Sequence, residues 1–176
     1  EKLKFPDLSK NIITQDFFEF IVNKPDANFN LVIGNPPFNL PPINGKEPIR
    51  KKYFKELKEK IGYESEINIP DENPALHFLV QSLKLLKEDA VLCLIQPSGP
   101  LLYQKDLSFK QDLFSQNNLL QVIDFTKLAD KLWGRKNVAT AAVFIQRTLP
   151  NNEDVLHLVA NRTFSNANRL FLEFDH

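Results

Sequence analysis

The 176-residue sequence contains no methionine, one cysteine (Cys93) and only five glycines. A single cysteine excludes an internal disulfide framework and a cysteine-rich metal site, and we predict no metal site. The glycines are too scattered to form a glycine-rich phosphate-binding loop. Because methionine is absent, residue 1 is not expected to be a natural translation start, and we expect the chain to be a piece of a longer protein.

The sequence also lacks net charge and long apolar runs. Lys plus Arg and Asp plus Glu number 22 each, so any nucleic-acid surface must come from local clustering of charge. No run approaches the roughly 18 apolar residues of a membrane-spanning helix, and the first residues do not form a signal peptide. Together with the single cysteine, these features predict a reducing, cytoplasmic location and no membrane partner.

The order of apolar segments indicates an α/β fold. Strands and helices alternate, which is typical of a mostly parallel sheet. The last two main strands lack a helix of comparable length between them and can pair antiparallel. The predicted strands are 30–34, 90–96, 119–125 and 138–146, with further short ones at 11–14 and 154–160; the predicted helices are 17–22, 48–61, 75–87 and 105–116.

Local signals mark the starts of two of these helices. Asp16 stands where a capping residue is expected, directly before an apolar turn. Asn73 and Pro74 are a plausible cap and first helical residue. In the helix that follows, helical spacing places His77 on one face with Gln81, and we expect this face to be exposed to solvent.

The strongest chemical signal is Asn35-Pro36-Pro37-Phe38, directly after a continuously apolar strand. Each proline fixes its own φ and pushes the preceding residue toward extended backbone, which stiffens the loop. The side-chain oxygen of Asn35 and the carbonyl oxygen of Pro36 can then converge at the carboxyl end of a central strand, where open α/β sheets bind ligands. Phe38 supplies a flat apolar ring nearby.

Two acceptors beside an aromatic ring suit a planar amino group such as the exocyclic amine of adenine. That amine is a poor nucleophile because its lone pair is delocalised. Acceptors fixed in advance stabilise the charge that develops on nitrogen, and holding a methyl donor in line supplies much of the rest. The residues alone leave three alternatives open: an amine of RNA, the amide of a protein glutamine, and a turn with only a structural role.

The quartet and its surroundings resemble the N6-adenine DNA methyltransferases, which use S-adenosylmethionine, and in particular the type I and type IIG restriction–modification members. The segment 31–38 resembles their catalytic strand and loop, and 75–97 resembles the helix and strand that follow. Segments 122–125 and 137–140 resemble their last two strands. The residues Gln15-Asp16-Phe17 resemble an acidic motif whose carboxylate region contacts the cofactor's adenosine.

This resemblance implies a Rossmann-like, S-adenosylmethionine-dependent methyltransferase fold and a role for each motif residue. Asn35, Pro36 and Phe38 would be catalytic, Asp16 and Phe17 would contact S-adenosylmethionine, and Pro37 would contact a flipped adenine in DNA. The sequence departs from the family in lacking its glycine-containing loop and the acidic residue after the second strand. We therefore expect the family's strand order, 3-2-1-4-5-7-6, to lack its first members here.

The resemblance also implies partners. We expect DNA, the remainder of the parent chain with its cofactor-binding half and target-recognition region, and a specificity or nuclease subunit. The whole of 1–176 is interpreted as one partial catalytic domain, with 39–72 as an insertion or substrate-facing segment. The fragment alone is expected to be inactive and to bind cofactor poorly. A catalytically silent DNA-binding or assembly subunit with the same fold remains an alternative.

The segment 39–72 carries a basic stretch that is a candidate DNA contact. Lys51, Lys52 and Lys55 lie in its predicted helix and can grip phosphates, an interaction that salt weakens. The alternative is an ordinary solvated helix face, because Glu56 and Glu59 dilute the positive charge. We carry the three lysines forward as candidate substrate-binding residues.

Overall fold

The computed structural model describes residues 9–23, 28–39, 47–105, 107–133, 138–151, 153–164 and 170–175. These residues form one six-stranded sheet and five α-helices within the described ranges. The helices are α1 (Phe17–Asn23), α2 (Glu47–Ile61), α3 (Pro74–Lys84), α4 (Ser108–Gln116) and α5 (Ala129–Leu132). The strands are β1 (Phe29–Gly34), β2 (Leu86–Pro97), β3 (Asn118–Asp124), β4 (Thr140–Gln146), β5 (Leu156–Phe164) and β6 (Leu170–Asp175).

The sheet has the order β1-β2-β4-β3-β5-β6. β1 pairs parallel with β2 and β3 with β5, whereas β4 lies antiparallel to both of its neighbours and β6 antiparallel to β5. Four of the six strands therefore run in one direction, and β4 and β6 run in the other. The first four positions reproduce the order 4-5-7-6 that the resemblance implies, and the predicted antiparallel pairing of the last two main strands is confirmed.

One apolar core joins the sheet to the helices that follow β1 and β2. Along β2 burial alternates, so that Leu92 and Leu94 are buried while Cys93 is only half-buried. Leu92 and Leu94 pack in one cluster with Leu76 and Leu79 of α3 and with Leu113 of α4. α3 and α4 therefore cover the same face of the sheet.

A second cluster is aromatic and joins α1, α2 and α3. Phe18 is fully buried, and its ring centroid lies 5.6 Å from that of Phe54, 5.0 Å from that of Tyr63 and 4.9 Å from that of Phe78. The α2 segment follows the Asn35–Phe38 quartet in the chain and is thereby folded back onto α3. Four of the fifteen phenylalanines of the sequence, including Phe17 at its margin, belong to this cluster.

Side-chain caps fix the starts of α1 and α3, as the sequence predicts. Asp16 Oδ1 accepts hydrogen bonds from the backbone N–H groups of Phe18 at 2.9 Å and Glu19 at 3.1 Å. Asn73 Oδ1 accepts from the N–H groups of Ala75 at 3.0 Å and Leu76 at 3.4 Å. Such caps satisfy N–H groups that have no partner within the helix.

Several sequence predictions differ from the structure. The segment 11–14 is not a strand: a 3₁₀ turn at Ser9–Asn11 is followed by exposed residues without regular structure. α3 ends at Lys84 rather than residue 87, because Leu86 already begins β2. The helix predicted from residue 105 begins at Ser108, and β6 was not predicted. Across the described ranges, no helix is long and apolar enough to cross a membrane.

Candidate functional site

The Asn-Pro-Pro-Phe quartet leaves the carboxyl end of β1. β1 ends at Gly34, opposite Leu94 and three residues before β2 ends, and the quartet follows directly. Asn35 and Pro37 are exposed, whereas Pro36 and Phe38 are half-buried. The amide of Asn35 is therefore open to solvent rather than enclosed in the core, at the edge of the sheet where parallel α/β proteins bind their ligands.

Asp16 and Phe17, the predicted cofactor contacts, lie at the start of α1. The cap bonds occupy Oδ1 of Asp16, and the residue as a whole is exposed. Phe17 is half-buried, with its ring centroid 4.7 Å from that of Phe78 in α3. The capping role is thus observed, and the packing of Phe17 holds the exposed carboxylate on a fixed helix end.

The three candidate lysines lie on α2, but they do not share one environment. Lys51 and Lys55 line a cavity of about 500 Å³ between α2 and the segment 63–72. Lys52 lies one residue further round the helix, with its ammonium 3.9 Å from a Glu56 carboxylate oxygen. Lys55 has the same spacing to Glu59. Exposed pairs of this kind contribute little to stability and leave the charges accessible.

A chain of three hydrogen-bonded polar side chains lines that cavity; two of them are buried and the third, Glu72, is half-buried. Tyr63 and His77 are 3% and 2% exposed, with 2.7 Å between the Tyr63 hydroxyl and His77 Nδ1. His77 Nε2 lies 2.7 Å from Oε2 of Glu72. The imidazole also stacks on Phe54 of α2, with ring centroids 3.6 Å apart and an angle of 18° between the planes.

Burial sets the protonation of this chain. It lowers the pKa of His77 to about 3 and raises the pKa of both Tyr63 and Glu72, the latter opposed by the positive charge of Lys51. A neutral imidazole carries one proton. An ionised Glu72 can only accept a hydrogen bond, which assigns the imidazole proton to Nε2 and leaves Nδ1 to accept from the Tyr63 hydroxyl.

Strained backbone precedes this chain. Asp71 and Glu72 have φ angles of 52° and 47°, which lie in the left-handed region that residues other than glycine rarely adopt. Residues held in this region cost of order 1–3 kcal/mol each and persist where the surrounding structure fixes them. The hydrogen bond from His77 and the cap at Asn73, directly after Glu72, are two such restraints.

The prediction that His77 faces solvent is wrong. His77 and Gln81 do share a face of α3, but α2 and the segment 62–69 cover it, and Gln81 Nε2 donates to the Glu64 carbonyl oxygen at 3.1 Å. Helical spacing reports which residues share a face, not what covers it. The missed signal lay in α2, whose aromatic residues Tyr53 and Phe54 had to be buried against another element.

The family model described as the Eco57I restriction-modification methylase matches residues 2–130, which is more than half of the chain. The chain belongs to this family. The match includes the quartet, both predicted cofactor contacts and all three candidate lysines. It thereby confirms the resemblance to restriction–modification methyltransferases. Comparison with curated protein sequences finds no relative.

Solved structures similar to this family member share its fold. A modification subunit of a putative type I restriction enzyme from Vibrio vulnificus YJ016 is 16% identical, with a TM-score of 0.58 over 89% of this chain and 30% of that one. The type IIG restriction endonuclease BpuSI is 20% identical, with a TM-score of 0.54 over 80% and 16%. A putative class I S-adenosylmethionine-dependent methyltransferase from Listeria monocytogenes is 12% identical, with a TM-score of 0.50 over 75% and 36%.

These similarities confirm the predicted α/β methyltransferase fold. The chain spans only between 16% and 36% of the length of those three structures. Among the residues described, no group of three or more His, Cys, Asp or Glu side chains could hold a metal ion.

Proposed function

We propose that this chain carries the catalytic loop of a DNA methyltransferase of a restriction–modification system, which transfers a methyl group to the N6 amine of a flipped adenine. The observation that supports this most directly is the position of Asn35, exposed at the carboxyl end of β1 and followed by two prolines. A stiffened acceptor at this edge suits an amine brought in from outside.

The proposed mechanism uses hydrogen-bond acceptors rather than a base in the first step. Asn35 Oδ1 and the Pro36 carbonyl oxygen accept hydrogen bonds from the two N–H groups of the adenine amine. They would stabilise the positive charge that develops on nitrogen as the new nitrogen–methyl bond forms. The bond between the methyl carbon and the sulfonium sulfur would break in the same step, S-adenosylhomocysteine would leave as a neutral thioether, and the methylated amine would then lose one proton to solvent. Phe38 would stack on the adenine ring and Pro37 would contact it, so that the amine is held in one orientation.

S-adenosylmethionine would supply the electrophilic methyl group, and Asp16 and Phe17 would hold its adenosine. The exposed carboxylate at the fixed end of α1 fits hydroxyl or amino groups of such a ligand, because a carboxylate accepts hydrogen bonds from both. The half-buried ring of Phe17 beside it offers an apolar surface.

We further propose that the remainder of the parent chain packs along β1. In the described sheet β1 is an edge strand, and Leu31 and Ile33 are 56% and 72% exposed. An apolar edge strand is a template for further pairing. Cofactor-binding strands placed there would extend the sheet in the expected family order. We propose that this remainder also binds DNA and any specificity or nuclease subunit.

The part of the segment 39–72 from residue 47 onward is proposed to face the DNA; residues 40–46 lie outside the described residues. α3 connects two parallel strands, so its first turn lies at the same sheet edge as Asn35. Phe54 of α2 stacks on His77 in that first part of α3. The lysines of α2 are thereby held near the carboxyl edge of the sheet, where phosphates flanking a flipped adenine would pass.

Reversing the charge of Lys51, Lys52 and Lys55 together to Glu is expected to weaken DNA binding by at least about 10-fold at low salt. If each contacts one phosphate, the slope of log K against log salt should become shallower by about 2.7. Fluorescence anisotropy of labelled duplex DNA at several salt concentrations measures both quantities. Lys87→Glu, at the amino end of β2, is the matched control. An unchanged slope would contradict the contact.

The proposed activity is tested by incubating the full-length parent protein with labelled S-adenosylmethionine and DNA, RNA or protein in parallel. We expect label in DNA, recovered as N6-methyladenine after nucleoside digestion and mass spectrometry. Label in RNA or on protein glutamine would replace DNA by another substrate. Cofactor and DNA binding without any transfer would instead identify a catalytically silent subunit.

A further inference from the structure

Tyr103 combines an exposed ring with a hydroxyl group that is held in place. The residue is 60% exposed, at the end of a short π-helical segment, Gly99–Tyr103, that follows β2. Its hydroxyl nevertheless donates a short hydrogen bond to Oδ2 of Asp124, which is only 2% exposed. The hydroxyl is thus directed into the protein while the ring remains in solvent.

Asp124 is a well-supported acceptor. Its Oδ1 accepts from the Thr126 backbone N–H at 2.8 Å and from the Thr126 hydroxyl at 2.6 Å. The Thr126 hydroxyl shares a further hydrogen bond of 3.1 Å with Ser98, which is fully buried after β2. Burial opposes ionisation of Asp124, but the hydrogen bonds from Thr126 and Tyr103 outweigh it and hold its pKa below the usual range.

This network lies at the same sheet edge as the catalytic loop. β1, β2 and β3 run in one direction, so Asn35, Ser98 and Asp124 all lie at carboxyl ends. β1 and β3 are separated by three strand spacings of about 4.8 Å, or roughly 14 Å in total. Because DNA rises about 3.4 Å per base pair, this distance corresponds to about four base pairs. A single DNA site can therefore reach both positions.

Only the ring of Tyr103 is available for a ligand, because its hydroxyl proton is committed to Asp124. A phosphate, which needs a donor, is therefore a poor partner, whereas the flat face of a nucleobase is a good one. Base–aromatic stacking is tolerant of sequence and strong enough to matter for affinity. A ring whose hydroxyl is already fixed also loses little side-chain entropy when a base stacks on it.

We propose that Tyr103 is a stacking platform for a DNA base that is left unstacked when the target adenine is extruded. This inference rests on the proposed function, since it assumes that DNA is the substrate. Tyr103 contacts the DNA, and Asp124 is a positioning residue that acts through Tyr103. Neither residue takes part in the methyl transfer itself.

The test compares Tyr103→Ala, Tyr103→Phe and Leu149→Ala in the full-length parent protein. Leu149 is 74% exposed and follows β4, which runs antiparallel, so it lies at the opposite edge of the sheet. The DNA probe is a duplex that the wild-type protein methylates. We expect Tyr103→Ala to raise KM and Kd for this duplex roughly 10- to 100-fold, with kcat at saturating DNA changed less than 3-fold.

Tyr103→Phe keeps the ring and should retain affinity within about 3-fold of wild type, and Leu149→Ala should match wild type. Equal losses in Tyr103→Ala and Tyr103→Phe would overturn the stacking role in favour of a structural role for the hydroxyl. An unchanged KM in Tyr103→Ala would overturn the inference while leaving the proposed function intact. A wild-type protein that methylates no DNA would overturn both.

Discussion

Asn35→Ala is expected to lower the rate of methyl transfer in the full-length parent by about 10²- to 10³-fold. This corresponds to about 3–4 kcal/mol of transition-state stabilisation, which is typical of removing one preorganised hydrogen-bonding group. The substitution removes one of the two proposed acceptors for the adenine amine. Because Asn35 is exposed, it leaves no cavity in the core, and stability should change by less than about 0.5 kcal/mol. Single-turnover transfer of labelled methyl groups measures the effect.

The matched control for this prediction is Asn30→Ala. Asn30 is also exposed and lies on the same strand, but near its amino end. We expect it to retain wild-type transfer, since it is remote from the carboxyl edge. Equal rates in Asn35→Ala and wild type, with both proteins folded by circular dichroism, would remove Asn35 from the mechanism.

Acidification should destabilise the protein through His77. In the folded state burial lowers the pKa of His77 to about 3, whereas in the unfolded state it is about 6.5. Between these values the unfolded chain binds more protons, so the free energy of unfolding falls as pH falls. The contribution is fully present above pH 6.5. About 2 kcal/mol of it should be lost by pH 5, at 1.36 kcal/mol per pH unit.

Glu72 offsets part of this effect in the acid range. Its pKa is raised in the folded state, so the folded state holds a proton on Glu72 more readily than the unfolded chain does, and acidification through that window is stabilising. We therefore expect the net slope below pH 6.5 to be shallower than His77 alone would produce wherever Glu72 titrates. Above pH 6.5 the slope attributable to His77 fades.

Urea unfolding of wild type, His77→Gln and His157→Gln between pH 4.5 and 7.5 measures this slope. His77→Gln removes the buried titrating group, so its unfolding free energy should depend less on pH even though it is lower throughout. His157 is exposed on β5 and serves as the control. Parallel slopes for wild type and His77→Gln would show that His77 does not govern the acid sensitivity.

The parts of the fold that the sequence predicts well are those fixed by local chemistry. The apolar run before Asn35 is a strand, and Asn73-Pro74 begins a helix because the Asn73 side chain and the proline ring satisfy its first turn. The strand order followed from the resemblance, since the sequence contains no local signal that sets β4 between β2 and β3. The segment 11–14 has strand-like residues, but it pairs with none of the strands in the part of the chain that the structure describes.

The candidate site likewise has one part that could be recognised in the sequence and another that could not. The quartet can be recognised in the sequence because its four residue types stand in consecutive positions directly after an apolar strand. The hydrogen-bonded side chains of Tyr63, His77 and Glu72 could not be predicted from the sequence, because they come from separate segments that meet only when α2 folds back onto α3. Tyr103 and Asp124 are 21 residues apart and meet only across the end of the sheet.

The covering of α3 by α2 restricts how this protein can vary in length. Three side chains of α3 are buried: His77, Phe78 and Gln81. α2 and the segment after it exclude solvent from much of their surface. An evolutionary deletion that shortened the connection to a plain loop would expose an aromatic ring and a neutral imidazole to water unless α3 changed in the same step. Length and sequence in these two segments should therefore be inherited together.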